Sequence, residues 1–600
     1  MAQINRAVSL GRTFLARLAP WFPLALFVFS IGYYSSYAFS GLDLGGEGGT
    51  IAVIADRIRF GAKPYVDTFL GYNLLWFYPI VWLFQIFGPN FAVVRLFFFA
   101  LSVGLGLAAY RTVLRATRRP LLSLATGVVV VLIPGIQFRN YLPFFGVVDL
   151  MVILEAFALP HNKRSTRVVW ILAASLLVSI TFLVRIDLGL FFSVVYLGSA
   201  IGFAFLGPDL WPERFKAMLV GVLFLPTSFA ALHLPIGAYA QARGFGNEFL
   251  GQYTEELIYL GDRLGHLLPA AAEKTNPRTT ETAPSSRSLI QLVSVSLPTS
   301  ENAERTNRPL PRWTEMFTSR WGKTRILVFL TYYPLVAGLI MGGATLVFAC
   351  TCLAQSARRT QTTTSRPAGT EALILGISLA SAFTLFPQYF FFRPDPQHIS
   401  EMMCVFLIAL ACSCGVVLDH FSSANRWLRS LFVAWIALTL MSVYLYCDYG
   451  LSKPWMGSIA RKQRDEVWFT GDNGVSALLP SAEAKETRQL YELIKAHSSP
   501  DDYVTCFPYA PTVNFMTGRR SYLYNLYLDN VNRPPNFDTK AIADIEKYKP
   551  AAILVDDDPM NVVDDSRFST WAAPTLAYIE QHYHYAGTFC RNDVYLAPGK

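Results

Sequence analysis

Between Trp21 and Cys447 the chain returns again and again to apolar runs long enough to cross a bilayer, and this repetition constrains the fold more than any motif. A hydrocarbon core of about 30 Å requires roughly 17–25 mostly apolar residues in a helix. Such runs fall near 21–40, 92–110, 121–137, 145–160, 168–184, 188–206, 217–235, 326–350, 370–388, 401–419 and 430–447, about eleven in all. With 53% apolar and 16% charged residues and a mean hydropathy of +0.34, a soluble globular protein is excluded. The fold class is a polytopic α-helical membrane protein of about eleven transmembrane helices. Its formal net charge of +9 then speaks to membrane topology, and no nucleic-acid partner is expected. Residues 1–20 hold Arg6, Arg12 and Arg17 without an acid, and the run from Trp21 to Phe39 is too long for a signal peptide's apolar region. It reads as an uncleaved first span behind a cytoplasmic N-terminus.

The basic residues orient the rest, because loops rich in Arg and Lys stay on the cytoplasmic side. Arg111, Arg115, Arg118 and Arg119, then Lys163, Arg164 and Arg167, then Arg214 and Lys216 fall in alternate loops. Arg358, Arg359 and Arg366, and finally Arg426 and Arg429, continue the pattern. It holds only if Phe69–Phe87, which is apolar enough to span, lies instead along the outer interface with its Tyr and Trp residues at headgroup level. The module at 21–447 then has a first outer loop at 41–91 and a long outer loop at 237–325. The second begins with an amphipathic helical pattern over Gly246–Leu268 and turns Thr/Ser/Pro-rich around Lys274–Pro311.

The remainder, 448–600, reads as a small extracytoplasmic α/β domain. Tyr503–Phe507 and Ala551–Val555 are short buried-strand patterns, and Thr539–Lys547 is helix-like between them, which suits parallel strands joined by a crossover. Cys506 and Cys590 lie in this domain, and an extracytoplasmic location leaves a disulfide between them open. The run Asp556-Asp557-Asp558 looks like a metal cluster but has no matching ligands and reads as a solvated turn.

The polar residues of interest collect on the outer side. The first loop holds Asp43, Glu47 and Asp67. Glycines flank Glu47, so the backbone there can come close to a bound group, and a carboxylate at that place can act as a general base or hold a cation. Asp43 is either a partner acid or a cap for the following helix. Asp67 suits a turn or cap as well as catalysis. Arg139 lies in the second outer turn. Arg185-Ile-Asp187 interrupts two spans, where its charges either pair with each other or serve an anionic site. Arg393, Asp395 and His398 sit at the outer end of the ninth span. A guanidinium there can grip a phosphate through two donors, and His398 is either a titrating group or a structural helix start.

These residues come in a recognisable order. A first span is followed by an outer loop with an acid, and then by a helix, Ile51–Phe60, that ends in Gly61-Ala-Lys-Pro64-Tyr65-Val-Asp67. An aromatic interfacial helix ends at Phe87-Gly88, and Arg95 opens the second span. The Arg185-Ile-Asp187-Leu-Gly189 and Arg393-Pro-Asp395-Pro-Gln-His398 turns follow, then Phe507-Pro-Tyr509 and Phe515-Met-Thr517-Gly518. In this order the chain resembles the GT-C superfamily of polyprenyl-phosphate-sugar-dependent glycosyltransferases, which includes the protein O-mannosyltransferases and the lipid A aminoarabinose transferase. The likeness covers most of 20–240 and 325–525. Two departures stand out. The family's first loop carries an Asp-Glu or Asp-x-Asp pair where this chain has Asp43 and Glu47, and Tyr72-Asn73 occupies a place where relatives often have Lys-Pro.

The resemblance implies an inverting glycosyltransferase of the cell inner (plasma) membrane. Its donor would be a polyprenyl-phosphate sugar of the outer leaflet, and its acceptor a cell-envelope glycan, lipid or protein. Glu47 with Asp43 would be catalytic, and Arg185, Arg393 and Arg139 would bind the donor phosphate. Asp67, Asp187, Asp395 and His398 would support them. No cofactor is required by this reading, and a divalent cation stays open. The competing reading is a transporter or flippase of a lipid-linked saccharide, which calls for polar residues deep in the spans. An oligosaccharide ligase or polymerase shares the chemistry and differs in donor.

Overall fold

The computed structural model describes residues 17–35, 38–45, 47–133, 138, 140–161, 163–265, 368–384, 396–420, 465–528, 533–534, 536–558 and 566–599, with single positions between 430 and 441. The side chains of Glu47, 259–265 and 396–400 fall outside this description. The expected span at 326–350 lies outside it, and the one at 430–447 largely so.

The chain folds as a helical bundle with a small sheet domain on one end. In order, the first helices are α1 (Phe22–Ser35), α2 (Glu47–Arg59), α3 (Tyr78–Phe87), α4 (Phe91–Thr117), α5 (Pro120–Leu132) and α6 (Tyr141–Phe157). They are followed by α7 (Arg164–Val184), α8 (Ile186–Leu206), α9 (Trp211–Arg243), α10 (Gly246–Gly265), α11 (Ala368–Thr384) and α12 (Pro396–His420). Among the described residues, α4, α7, α8 and α9 are long and apolar enough to cross a membrane on their own. The remaining apolar helices α1, α5, α6 and α11 pack among them.

In the aromatic run, α3 covers Tyr78–Phe87 and not the whole of Phe69–Phe87. Its ten residues rise about 15 Å, half of a hydrocarbon core, so it does not cross. Ile80, Val81 and Phe84 are buried while Trp82, Ile86 and Phe87 stay exposed, an arrangement suited to lying along an interface.

α4 starts beside the sheet domain, where Phe91 N donates to Asn473 O at 2.9 Å. The ends of α4, α6 and α8 and the starts of α7 and α9 therefore share the opposite end of the bundle with most of the bundle's own described basic residues. There Arg115 grips the buried Glu155 through Nε–Oε1 and Nη2–Oε2, both at 2.8 Å, and Arg167 donates to Ala156 O at 3.0 Å.

The sheet domain opens with an antiparallel hairpin, β1 (Glu466–Thr470) and β2 (Ser476–Pro480), followed by α13 (Ser481–His497). β3 (Val504–Phe507), α14 (Pro511–Thr517), α15 (Phe537–Tyr548), β4 (Ala552–Asp556), α16 (Ala573–His582), β5 (His584–Phe589) and β6 (Asn592–Leu596) complete it. The four-stranded sheet runs β3-β4-β6-β5. β3 and β4 are parallel with Val504 opposite Ala552, as their buried apolar patterns and intervening helix require. The antiparallel β5–β6 pair was not legible, because its turn uses Cys590 and Arg591 at φ 50° and 67° in place of the usual Asn-Gly signal.

That strand order also decides against the disulfide that the sequence left open. Cys506 is in β3 and Cys590 follows β5, with β4 and β6 between them. Three strand spacings are about 14 Å, far beyond the Cα separation a disulfide tolerates. Both are free thiols, Cys506 buried against Asn514 and Cys590 beside Thr487.

Candidate active site

The site is assembled where the first loop meets both the bundle and the sheet domain. Residues 39–41 run along β2 as an added strand, with Leu478 N donating to Phe39 O at 2.7 Å and Gly41 N to Leu478 O at 3.0 Å. Arg95 in the first turn of α4 fixes the same stretch from beneath, donating to Ala38 O at 2.7 Å and Gly41 O at 2.6 Å. The loop then turns at Asp43, whose Oδ1 accepts from Gly45 N at 3.1 Å. Glu47 is the first residue of α2, a place where the unpaired N–H groups of a helix favour an anion.

The glycines around Glu47 make room for the protein's own side chains. A Cβ on Gly45 would lie 2.6 Å from the Tyr509 ring, and one on Gly48 2.6 Å from the Phe138 ring. One on Gly49 would lie 2.0 Å from Thr512 Oγ1. The loop is thus wedged between Phe138 of the bundle and the 509–512 segment of the sheet domain.

Further along, Asp67 Oδ2 accepts from Lys63 N at 2.7 Å, closing a turn in which Tyr65 stands at φ 63°. Arg57 on the last turns of α2 binds the sheet domain, donating to Ser521 O at 2.6 Å and Leu523 O at 2.7 Å. Burial lowers its guanidinium to about 10, so it remains a cation at neutral pH.

The second cluster forms where α7 breaks into α8. Arg185 adopts extended backbone for a single residue. Its side chain meets Asp187 through Nε–Oδ1 at 2.7 Å and Nη2–Oδ2 at 2.8 Å, and Asp187 Oδ1 also caps Leu188 N at 2.7 Å. The two side chains pair with each other in this structure. Glu256 on α10 faces the pair. Burial, and next the charge of Asp187, raise it to about 7, with Arg185 acting the other way.

Tyr253, one helical turn before Glu256, belongs to a buried chain of hydrogen bonds. Asn73 Nδ2 donates to Phe182 O at 2.9 Å and to Tyr253 OH at 3.2 Å. Tyr253 OH lies 2.8 Å from His233 Nδ1, and His233 Nε2 lies 3.0 Å from Ser179 O. Since a carbonyl only accepts, Nε2 carries the proton and Nδ1 accepts from Tyr253. Asn73 therefore ties the interfacial segment to α7 and α10, and through Tyr253 and His233 to α9.

An apolar groove of about 550 Å³ lies between α8 and α11, lined by Phe191, Val194, Gly198, Gly202, Gly376 and Phe383 among others. The helices run antiparallel there, since a Cβ on Gly369 would meet Leu206 O at 2.0 Å. The groove's upper end at Phe191 is six residues past Arg185, about 9 Å along the helix axis.

The chain is similar to solved structures of ArnT from Cupriavidus metallidurans, which matches in two states. The undecaprenyl-phosphate-bound structure is 13% identical with a TM-score of 0.45, over 95% of this chain and 97% of that one. The apo structure is also 13% identical with a TM-score of 0.45, over 98% of each chain. No protein-family model matches, and no curated protein matches.

Of the residues singled out in the sequence, Asp43 and the backbone of Glu47 share the first loop, with Asp67 at the far end of α2, while Arg185 and Asp187 form the second cluster. Arg139, Arg393 and Asp395 lie outside the described residues. His398 falls in the first turn of α12 with its side chain outside the description. Among the described residues no group of three His, Cys, Asp or Glu side chains is placed to hold a metal ion.

Several contributors escaped sequence reasoning. Thr512, Tyr509 and Tyr253 carry no motif, and only folding brings them to the loop or to Asn73. Asp149 was visible as one of two acids, with Glu155, in an apolar run. Its carboxylate is fully buried in α6, with Oδ2 accepting from Thr181 Oγ1 at 2.8 Å and Oδ1 without a hydrogen-bond partner among the described residues.

Proposed function

We propose that this chain is an inverting glycosyltransferase that takes its sugar from a polyprenyl-phosphate donor and passes it to a cell-envelope acceptor. The observation that carries the reading is the apolar groove along α8. Its upper end lies close beneath the Arg185 turn, at the bundle end that also holds Asp43 and Glu47. A lipid phosphate needs an apolar channel for its chain and a cation at its head, and a sugar-transfer site needs a carboxylate beyond both. The loading of basic residues at the opposite end supports placing this site on the outer leaflet, with the sheet domain extracytoplasmic.

In this mechanism Glu47, with Asp43 beside it, accepts the proton of the acceptor hydroxyl as its oxygen attacks the anomeric carbon. The bond from that carbon to the phosphate oxygen breaks, and polyprenyl phosphate leaves with the charge. Arg185 exchanges Asp187 for the phosphate, and Arg139 and Arg393 are the further cations assigned to it. Asp67 holds its turn, and Asp187, Asp395 and His398 hold the surrounding groups.

The test is release of undecaprenyl phosphate from a panel of radiolabelled undecaprenyl-phosphate hexoses and pentoses by the purified chain and by Glu47→Gln. Turnover of one donor that collapses in a folded Glu47→Gln supports the reading. Wild-type turnover by that variant removes Glu47 from its role, and no turnover with any donor overturns the function.

One observation favours a second reading. Asp149 is an ionisable group buried inside the bundle, the feature a transporter or flippase of lipid-linked saccharides would use. Movement of lipid-linked sugar across liposomes without transfer would establish it.

A further inference from the structure

Within the sheet domain, Thr512 meets the acid-bearing loop on both sides of Glu47. Thr512 is fully buried at the start of α14. Its Oγ1 donates to Asp43 O at 2.8 Å, and its backbone N–H donates to Leu44 O at 3.1 Å. Two consecutive loop carbonyls thus end on one side chain and its own amide. The other arm of the loop rests on the same residue. A Cβ on Gly49 would stand 2.0 Å from Thr512 Oγ1 and 2.8 Å from its Cα and N. The loop's described arms, Asp43–Gly45 and Glu47–Gly49, therefore form an arch with both feet on Thr512. Tyr509, from the same segment, backs the arch at Gly45.

We propose that Thr512 is a positioning residue that holds the Asp43–Glu47 arch in its reactive shape, which makes the sheet domain a working part of the site. The inference rests on the glycosyltransferase reading above. Thr512 touches the loop backbone and acts through the two carboxylates. A base must stand within about 2.6–3.2 Å of the proton it takes, and a misplacement of about 1 Å can lower a rate on the order of a hundredfold. The contacts also explain a pattern that catalysis alone does not require: glycine at 45, 48 and 49, each facing a side chain already in place.

The experiment uses the full-length chain in nanodiscs with the undecaprenyl-phosphate sugar of the panel that turns over fastest. Thr512→Val keeps the volume and removes the hydroxyl. Its kcat is expected to fall about 10- to 100-fold, with KM for the donor moving less than about threefold because the groove and Arg185 are untouched. Thr512→Ser, which keeps the donor, is expected to restore kcat to within about threefold of wild type. In a Glu47→Gln background Thr512→Val is expected to add nothing, because both changes act through one group. Hydrogen exchange over 41–50 is expected to rise about five- to tenfold in Thr512→Val while β3 and α4 keep their protection. If the valine variant does not fold, Thr512→Cys, a weak donor of similar size, is measured in the same way. A Thr512→Val with wild-type kcat and wild-type exchange, beside a dead Glu47→Gln, overturns this inference alone. An active Glu47→Gln overturns the reading beneath it.

Discussion

Arg95 Nη2 lies 2.6 Å from the carbonyl oxygen of Gly41, so the second long helix holds the first loop by its backbone. Nη1 takes Ala38 O in the same way, and the residue is only 2% exposed. Arg95→Met would leave the buried Ala38 carbonyl and the Gly41 carbonyl without these donors. Charge-assisted hydrogen bonds contribute about 1.5–3 kcal/mol each, so thermal unfolding in detergent should report a loss of about 3 kcal/mol. Arg95→Lys, with one point of charge for two diverging acceptors, should recover about half of it. A methionine variant as stable as wild type would mean the fork holds nothing.

The glycines offer a sharper contrast. Gly49 has Thr512 backbone atoms at 2.8 Å from a built Cβ, and backbone cannot swing aside as a flexible side chain can. Gly49→Ala should destabilise the chain by about 2 kcal/mol or more. Gly237, on α9, has nothing within 4 Å, and there alanine should add about 0.5–1 kcal/mol through helix propensity. Chemical unfolding of the two variants side by side measures both, and equal effects would contradict the packing described for the first loop.

How far this arrangement was legible follows from range and chemistry. The apolar runs and the apolar patterns of β3 and β4 are local, and local patterns survive in a sequence. The clasp between Asp43 and Thr512 joins positions 469 residues apart in the chain, and nothing in either segment announces the other. The flanking glycines were read as room for a bound group because the sequence shows the missing Cβ and not what fills its place. Arg185 and Asp187 were legible as a pair only because a single residue, Ile186, separates them. Glu256 was hidden inside an amphipathic helix whose acids look alike until one of them turns inward.

That inward acid gives a pH dependence whose direction can be worked out. Glu256 is raised from its ordinary 4.5 to about 7, first by burial and then by Asp187. Between these values the folded chain keeps a proton the unfolded chain has lost, so stability falls as pH rises through the window and levels off above about 7. Protection of α10 amides, corrected for intrinsic exchange, should therefore drop between pH 5 and 7.5. Glu256→Gln should flatten the profile. A wild-type profile that is flat, or that rises with pH, would show that Glu256 is not buried against Asp187 in solution.

The groove makes the last prediction, and it separates lipid recognition from chemistry. Built Cβ atoms on Gly198 and Gly376 meet nothing within 4 Å, although both residues line the cavity between α8 and α11. Gly198→Leu and Gly376→Leu should therefore fold without overpacking and fill space that a polyprenyl chain would otherwise occupy. Each buried methylene contributes about 0.8 kcal/mol, so displacing two or three isoprenoid carbons should raise KM for an undecaprenyl donor by about tenfold or more. A donor carrying a two-isoprene chain, too short to reach down the groove from Arg185, should keep its lower wild-type efficiency in both variants, because the headgroup contacts are unchanged. If the leucine variants bind long and short donors with unaltered KM, the chain of the lipid runs elsewhere on the bundle.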